Sequence, residues 1–253
     1  MALPELSGGF AALVPHGLKE GVGEQENALF KENSGVLLGL GGGGVLLGGR
    51  GDDDEALREH TELVVITEDK QLHLRAETNH GTFTPGIIVR TQGAWAHPQV
   101  RPAKGQMLRV QLPATLPLCE VHRSEHIYVV PRTQGPQAGT ALIGATVEDA
   151  GFDTMVHPAG LAHLRTLAAE LLPQLADEAI APQVEAWAGL RPATADSLPL
   201  LGPLSHGQFI AAGHFRNGIL LAPATAVVMA DLIEGKSPAV DLTPFSPDRF
   251  TAT

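Results

Sequence analysis

Short strand-like segments separated by Pro- and Gly-rich turns constrain the middle of this chain more than any other feature. They follow one another at residues 105–112, 127–130 and 141–146. Successive short strands with little helix between them favour an antiparallel sheet. Beyond them, a helix beginning near Pro158 is predicted to cover one face of the sheet, because apolar residues recur every three to four positions: Leu161, Leu164, Ala168, Leu171 and Leu175.

The segment before this sheet has two different parts. Residues 1–60 are rich in glycine and carry an acidic run, and their pattern assigns them no particular secondary structure. Strand-like runs follow at 62–67, 72–76 and 86–89. Gly81 stands at the corner of a turn between the second and third of these runs.

The last third of the chain changes pattern again. It predicts a strand at 184–188, a loop at 189–192, a strand at 208–212 and a helix from about Ala222 to Glu234. A strand, a Gly-rich turn and a helix in that order can place backbone N–H groups against an anion or the polar edge of a ring.

Charge and cysteine usage exclude several classes of protein. The chain has a net charge of −11 and only 17 scattered Lys and Arg residues, which argues against a nucleic-acid surface. A single cysteine, Cys119, allows no intrachain disulfide. No secretory signal is visible, and glycines, Pro223 and Asp231 interrupt the apolar runs before the roughly 20 residues that a bilayer requires. We expect a cytoplasmic protein that acts on small molecules, without nucleic acid or membrane.

Two motifs suggest ligands but have simpler explanations. The segment 122–126 matches the H-x-x-E-H zinc pattern, yet it runs into a strand, where residues four apart are separated by roughly 13 Å. The segment 39–44 matches G-x-G-x-x-G, but no helix pattern follows it. We interpret the second as low complexity and expect no metal site.

Several motifs in a fixed order carry a resemblance to a known family. In the last third they are WAGLRP at 187–192, SLPLLGP at 197–203 and GHFRNGILLAP at 213–223. Upstream matches in the same order are GAW at 93–95, RPAKGQ at 101–106, HIYVVP at 126–131 and GATVEDAGFD at 144–153. Together they resemble the D-amino-acid oxidase family of FAD-dependent enzymes, and within it the glycine oxidases of thiamine biosynthesis. The match runs from about Leu63 to the C-terminus.

The resemblance implies roles for particular residues. Arg191 and Tyr128 would hold the substrate carboxylate, Arg216 would lie near the flavin ring and the substrate, and His126 would line the active site. A planar guanidinium suits bidentate capture of a carboxylate, and a half-buried phenol needs a hydrogen-bond partner. As alternatives, Arg191 is a surface arginine and Tyr128 a core aromatic residue. The residues implied for FAD binding are Gly93, Ala94, Trp95, Gly213, His214, Phe215, Arg216, Asn217, Gly218, Ile219 and Leu220.

The expected architecture is α+β. A partial α/β flavin domain would comprise residues 1–97 and 186–253, with 1–60 poorly defined, and an antiparallel-sheet substrate domain with a covering helix would comprise 98–185. The resemblance implies oxidation of glycine or a similar small amino acid by FAD to an imine and then an oxo acid, with dioxygen reduced to hydrogen peroxide. A flavin oxidase or dehydrogenase of sarcosine, proline or another secondary amine is the alternative enzyme.

The family's N-terminal βαβ unit, of roughly 30 residues, is not visible in this sequence. We therefore expect the chain to lack the segment that holds the flavin pyrophosphate. Before the GAW motif, the family's small residues are replaced by Arg90, Thr91 and Gln92, which add charge and bulk. A gene fragment, a split enzyme that needs a separate FAD-domain chain, and a non-catalytic remnant or interaction subunit all stay open, as does a homo-oligomer.

Overall fold

A computed structural model describes residues 36–40, 44–48, 56–58, 63–69 and 72–250. The chain divides into two compact units, one made of Met1–Arg101 with Arg191–Thr253 and the other of Pro102–Leu190. We call them the discontinuous unit and the inserted unit. Their assignment to flavin and substrate, with the boundaries expected from the sequence, stays a prediction.

The described residues form strands and two α-helices. In chain order the strands are β1 (Val36–Leu40), β2 (Gly44–Gly48), β3 (Ala56–Arg58), β4 (Leu63–Glu68), β5 (Leu74–Thr78), β6 (Gly81–Phe83), β7 (Ile87–Thr91), β8 (Arg101–Gln111), β9 (His122–Arg123), β10 (Tyr128–Arg132), β11 (Thr140–Gly144), β12 (Gln183–Ala193), β13 (Leu200–Ser205) and β14 (Gln208–Ala212). The helices are α1 (Pro158–Leu171) and α2 (Gly218–Ile233). This mixture confirms the α+β class.

The discontinuous unit is built on a six-stranded sheet in the order β13-β14-β7-β1-β2-β3. Strand β7 lies between β14 and β1 and is parallel to both. On one face, Met229 of α2 belongs to a buried cluster with Val89, Leu201 and Ala211. The alternate residue of β7, Ile88, packs with Leu74 of the three-stranded sheet β4-β5-β6. Both faces of β7 are therefore covered, which accounts for its continuous apolar run.

The inserted unit contains a five-stranded sheet in the order β12-β8-β11-β10-β9. The pairs β8–β11, β11–β10 and β10–β9 are antiparallel, as the sequence predicts. Leu164 and Ala168 of α1 are fully buried in one cluster with the apolar strand residues Leu108, Val110, Val129, Ala141 and Ile143. The sheet and its covering helix thus share one core. Strand β12 continues beyond Leu190 into the discontinuous unit.

The structure corrects several boundaries. Helix α1 ends at Leu171, and Leu175 lies in the 3-10 turn Pro173–Ala176, because proline cannot continue the helical hydrogen bonds. Helix α2 begins at Gly218 rather than Ala222, with Pro223 inside it. Residues 189–192 form part of β12 instead of a loop.

The glycine-rich region, to which the sequence pattern assigns no secondary structure, contains β1, β2 and β3. The rest of residues 1–60 lies outside the described residues. After the G-x-G-x-x-G match begins in β1, the chain returns as the antiparallel strand β2, so a strand rather than a helix follows the motif. Within the described ranges, no helix is both long and apolar enough to cross a bilayer.

Candidate functional site

The carboxyl edge of the six-stranded sheet brings two of the expected segments together. Strands β7 and β14 are parallel neighbours, with Gln208 opposite Ile88 and Ile210 opposite Arg90. The chain leaves β7 into the 3-10 turn Gly93–Trp95 and leaves β14 into the turn 213–217 that precedes α2. Both segments therefore lie at the same edge, which is where parallel sheets bind ligands.

The turn 213–217 is held closely against the end of β12. Gly213 has a φ of 81°, and a Cβ at this position would come 2.9 Å from Cγ2 of Thr194. Phe215 also adopts a left-handed conformation, with φ of 51°, and its backbone N–H donates to the carbonyl oxygen of Pro192 at 2.7 Å. The turn is thus bonded to the residue that follows Arg191.

His214 joins this turn to α2. Its side chain is 5% exposed, and Nε2 lies 3.1 Å from Oγ1 of Thr225 in the second turn of the helix. Burial lowers the pKa of His214 to about 4, so the ring is neutral at physiological pH. Its contact with Thr225 connects the turn to the helix.

The N-terminus of α2 combines polar backbone with exposed apolar side chains. Asn217 makes no side-chain cap, and the first turn holds no acidic residue. The first N–H groups of a helix have no partner inside it and carry a partial positive charge. Ile219 and Leu220 are 74% and 79% exposed, and Trp95 at the same edge of the sheet is 59% exposed. Arg216 is also exposed. This edge offers apolar surface and hydrogen-bond donors to a planar polar ring.

Arg90 does not fill this edge with charge. Its Nη2 donates to Oε1 of Gln208 at 2.8 Å. Because Gln208 is opposite Ile88, the guanidinium extends back along the sheet, away from its carboxyl edge. Burial lowers the pKa of Arg90. Of the residues that add charge and bulk before the GAW motif, Arg90 therefore directs its side chain away from the carboxyl edge.

Tyr128 and His126 belong to the inserted unit. Tyr128 begins β10, is partly buried, and its hydroxyl donates to Sδ of Met107 at 3.4 Å. His126 is exposed and precedes the strand, in a turn where its backbone N–H donates to Oγ of Ser124. His122 lies in β9, so the H-x-x-E-H segment is a strand followed by a turn rather than a helix. Among the described residues, no group of three or more His, Cys, Asp or Glu side chains is arranged to hold a metal ion.

The inserted unit also contains a polar network around a buried lysine, which the sequence pattern does not predict. Lys104 is fully buried, and its Nζ donates to Oδ2 of Asp153 at 2.6 Å, while Nε2 of His157 lies 2.7 Å from the same oxygen. These bonds hold the pKa of Asp153 far below its usual value, the bond from Lys104 contributing most. The motifs RPAKGQ and GATVEDAGFD show in the sequence that charged residues are present. That Lys104 pairs with Asp153 is visible only in the folded chain.

The comparisons with known proteins agree with these observations. The model of the FAD dependent oxidoreductase family matches residues 56–232, and the chain belongs to this family. It is 39% identical over 201 residues to the glycine oxidase of Geobacillus kaustophilus, covering 75% of this chain and 51% of that protein. It is 45% identical over 184 residues to the bifunctional protein ThiO/ThiG of Trichormus variabilis, covering 69% of this chain and 27% of that one.

A solved structure supports the same fold. The crystal structure of the Geobacillus kaustophilus glycine oxidase matches with a TM-score of 0.67 and 38% identity, over 76% of this chain and 53% of that chain. The resemblance found in the sequence is thereby confirmed. The chain spans about half the length of the glycine oxidases it matches.

FAD is the cofactor of the family, and the described residues fit its flavin ring system. The apolar side chains and helix N-terminus at the carboxyl edge suit the ring system, whose polar edge accepts hydrogen bonds. For the pyrophosphate, the G-x-G-x-x-G match includes residues 41–43, which lie outside the described residues, and a strand follows it. The agreement between the described residues and FAD therefore concerns the flavin ring.

Proposed function

We propose that this chain provides the substrate-binding and flavin-ring-binding parts of an FAD-dependent oxidase of glycine or a similar small amino acid. The observation that carries the proposal is the carboxyl edge of the six-stranded sheet. There the segment Gly93–Trp95 and the turn before α2 leave neighbouring strands, and the Pro192–Phe215 hydrogen bond brings the end of β12, with Arg191, to the same turn. Family membership and the glycine oxidase relatives support this reading.

Each proposed residue has a distinct task. Arg191 would bind the substrate carboxylate with two parallel hydrogen bonds, and Tyr128 would donate a third. Arg216 and the exposed His126 would border the substrate. Backbone N–H groups of Gly218 and Ile219 would face the polar edge of the flavin ring. These contacts position the amino acid, and positioning is the protein's main contribution to cofactor chemistry.

FAD held at this edge would supply a two-electron acceptor for the hydride of the substrate α-carbon, and its reoxidation by dioxygen with uptake of two protons would give hydrogen peroxide. The imine that remains hydrolyses in water to an oxo acid and ammonia. This scheme requires the substrate amine to be neutral but assigns no side chain as a general base. A role in thiamine biosynthesis follows only if glycine is the substrate, and it stays a prediction.

The first test is the absorption spectrum of the purified chain after incubation with FAD and desalting. Retained flavin bands that glycine bleaches without oxygen would support the proposal. Bleaching by sarcosine or proline but not by glycine would favour a secondary-amine oxidase or dehydrogenase, and a dye acceptor compared with oxygen would separate these two. A chain that retains no flavin would contradict the proposal for these 253 residues alone and favour a remnant or a subunit of a two-chain enzyme.

Arg191→Ala tests the carboxylate site. Removing one partner of a buried charged pair costs about 2–5 kcal/mol, which corresponds to a fall in kcat/KM for glycine of about 30- to 5,000-fold. Arg75→Ala is the matched control, because Arg75 is an exposed arginine of the same unit on β5. Arg191→Ala protein that oxidises glycine as efficiently as the Arg75→Ala control would refute the assignment.

A further inference from the structure

Tyr128, Gly144 and Met107 lie in one row across three strands of the inserted unit. In the pairing of β10 with β11, Tyr128 is directly opposite Gly144. In the pairing of β11 with β8, Gly144 is directly opposite Met107. Residues in such a row share one face of the sheet. The side chains of Tyr128 and Met107 can therefore meet only above Gly144.

Gly144 provides the space for that meeting. A Cβ at this position would lie 2.5 Å from both the Tyr128 hydroxyl oxygen and Sδ of Met107, and 2.6 Å from Cζ of the phenol. Real Cβ atoms do not approach other heavy atoms this closely. The phenol thus lies across β11 on the glycine backbone, and its hydroxyl reaches the methionine sulfur at 3.4 Å.

The partner of the hydroxyl is chemically unusual. A thioether sulfur is a weak hydrogen-bond acceptor, whereas a carboxylate is a charged acceptor whose bonds are about twice as strong as neutral ones. A hydroxyl bonded to sulfur is held in place but can exchange that bond for one to a carboxylate at little cost. An amide or carboxylate in place of the sulfur would compete with the ligand for the same hydrogen.

We propose that Met107 and Gly144 position the Tyr128 hydroxyl for the substrate carboxylate. Met107 is a weak acceptor that the carboxylate replaces, and Gly144 leaves the space in which the phenol lies across β11. The inference rests on the proposed function, in which Tyr128 binds that carboxylate. It assigns Met107 and Gly144 as positioning residues that determine how readily the carboxylate is bound.

The single tyrosine of the chain makes a direct test available. Full-length protein grown with 3-fluorotyrosine carries one ¹⁹F label, at Tyr128, whose resonance needs no enzymatic activity to be read. Acetate, a simple carboxylate, is titrated in the presence of FAD, with acetamide as the neutral control. We expect acetate but not acetamide to shift the resonance, and Arg191→Ala to weaken the acetate response.

Variants at position 107 then test the inference itself. Met107→Gln introduces a stronger acceptor of similar length, and we expect it to weaken acetate binding by about two- to tenfold, the worth of one net hydrogen bond. Met107→Leu keeps the volume without the acceptor and should shift the resonance of the free protein while leaving acetate affinity within about twofold. Met155→Gln, at an exposed position of the same unit, should change neither property.

The possible failures are distinguishable. Met107→Gln protein that binds acetate as tightly as the unchanged chain would overturn this inference while leaving the carboxylate site intact. A wild-type resonance that acetate does not move would overturn the role of Tyr128 in the proposed function, and this inference with it. Gly144→Ala provides a second check, because the added Cβ should shift the resonance of the free protein.

Discussion

Replacing Gly160 with alanine sets two opposing effects of known size against each other. Gly160 is the third residue of α1. Alanine in a helix is favoured over glycine by about 0.5–1 kcal/mol, so helix propensity alone predicts a more stable protein. A Cβ at this position, however, would overlap Nε2 of Gln106 and lie 2.7 Å from its Cδ.

Gln106 cannot move away freely. Its side chain is 1% exposed, its Nε2 donates to Oε1 of Glu148 at 2.8 Å, and its Oε1 accepts from the backbone N–H of His157 at 2.7 Å. Losing these two bonds costs about 1–2 kcal/mol each when the partners are partly buried. The loss of about 2–4 kcal/mol exceeds the helical gain. We therefore expect Gly160→Ala to reduce the free energy of unfolding by about 1–3 kcal/mol.

Urea unfolding followed by circular dichroism measures the change, and a double-mutant cycle identifies its cause. In a Gln106→Ala background the space is open, so Gly160→Ala should be neutral or stabilising by up to about 1 kcal/mol. If the single Gly160→Ala variant is more stable than the unchanged protein, the gain in helix propensity exceeds the cost of displacing Gln106. Gln106 would then not be fixed in place by its two hydrogen bonds, and the reasoning would be refuted.

Two further predictions concern the cores of the separate units. His214 has a folded pKa of about 4 against 6.5 when unperturbed, so the unfolded chain binds more protons between these values. The stability from neutral His214 is complete above pH 6.5 and is lost as the pH falls toward 4. Between pH 7 and pH 5 this effect lowers the free energy of unfolding by about 2 kcal/mol. When both proteins are unfolded in urea at each pH, the His214→Gln protein should lack this part of the loss. An equal loss in the two proteins would contradict the prediction. Leu164→Ala should lower the free energy of unfolding by about 2–5 kcal/mol, because Leu164 is fully buried between α1 and the sheet, and a loss below 1 kcal/mol would show that this core is not packed as described.

The parts of the fold that can be predicted are those in which local pattern and tertiary packing agree. In the inserted unit, Pro- and Gly-rich turns separate β8, β10 and β11, and α1 has a regular apolar face, so the pattern locates these three strands and the start of the helix. The sequence predicts the start of α2 four residues late because Pro223 normally marks a first turn, whereas the bond from the Leu221 N–H to the Asn217 carbonyl oxygen extends this helix back to Gly218. It predicts a loop at residues 189–192 because Gly189 and Pro192 are turn formers, but these residues continue β12.

The candidate site likewise contains residues that the sequence predicts and contacts that it does not predict. Arg191 and the segment 213–220 can be found because contiguous motifs carry them. The contacts of these residues cannot, because they join positions distant in the sequence: Phe215 with Pro192, and His214 with Thr225. The partner of Tyr128 depends on strand register across β11, and no periodicity in a single strand reports it.

The insertion of one unit within the other has a consequence for synthesis of the chain. Pro102–Leu190 is contiguous and can complete its sheet as soon as it leaves the ribosome, but β7 must wait for β14, which lies far downstream. During that interval β7 can pair with β1, while the edge that later receives β14 stays open. Its apolar residues, Ile87, Ile88 and Val89, make this edge a template for mispairing with other nascent chains. Protection of β7 by chaperones during translation should therefore matter more for the yield of this protein than protection of the inserted unit.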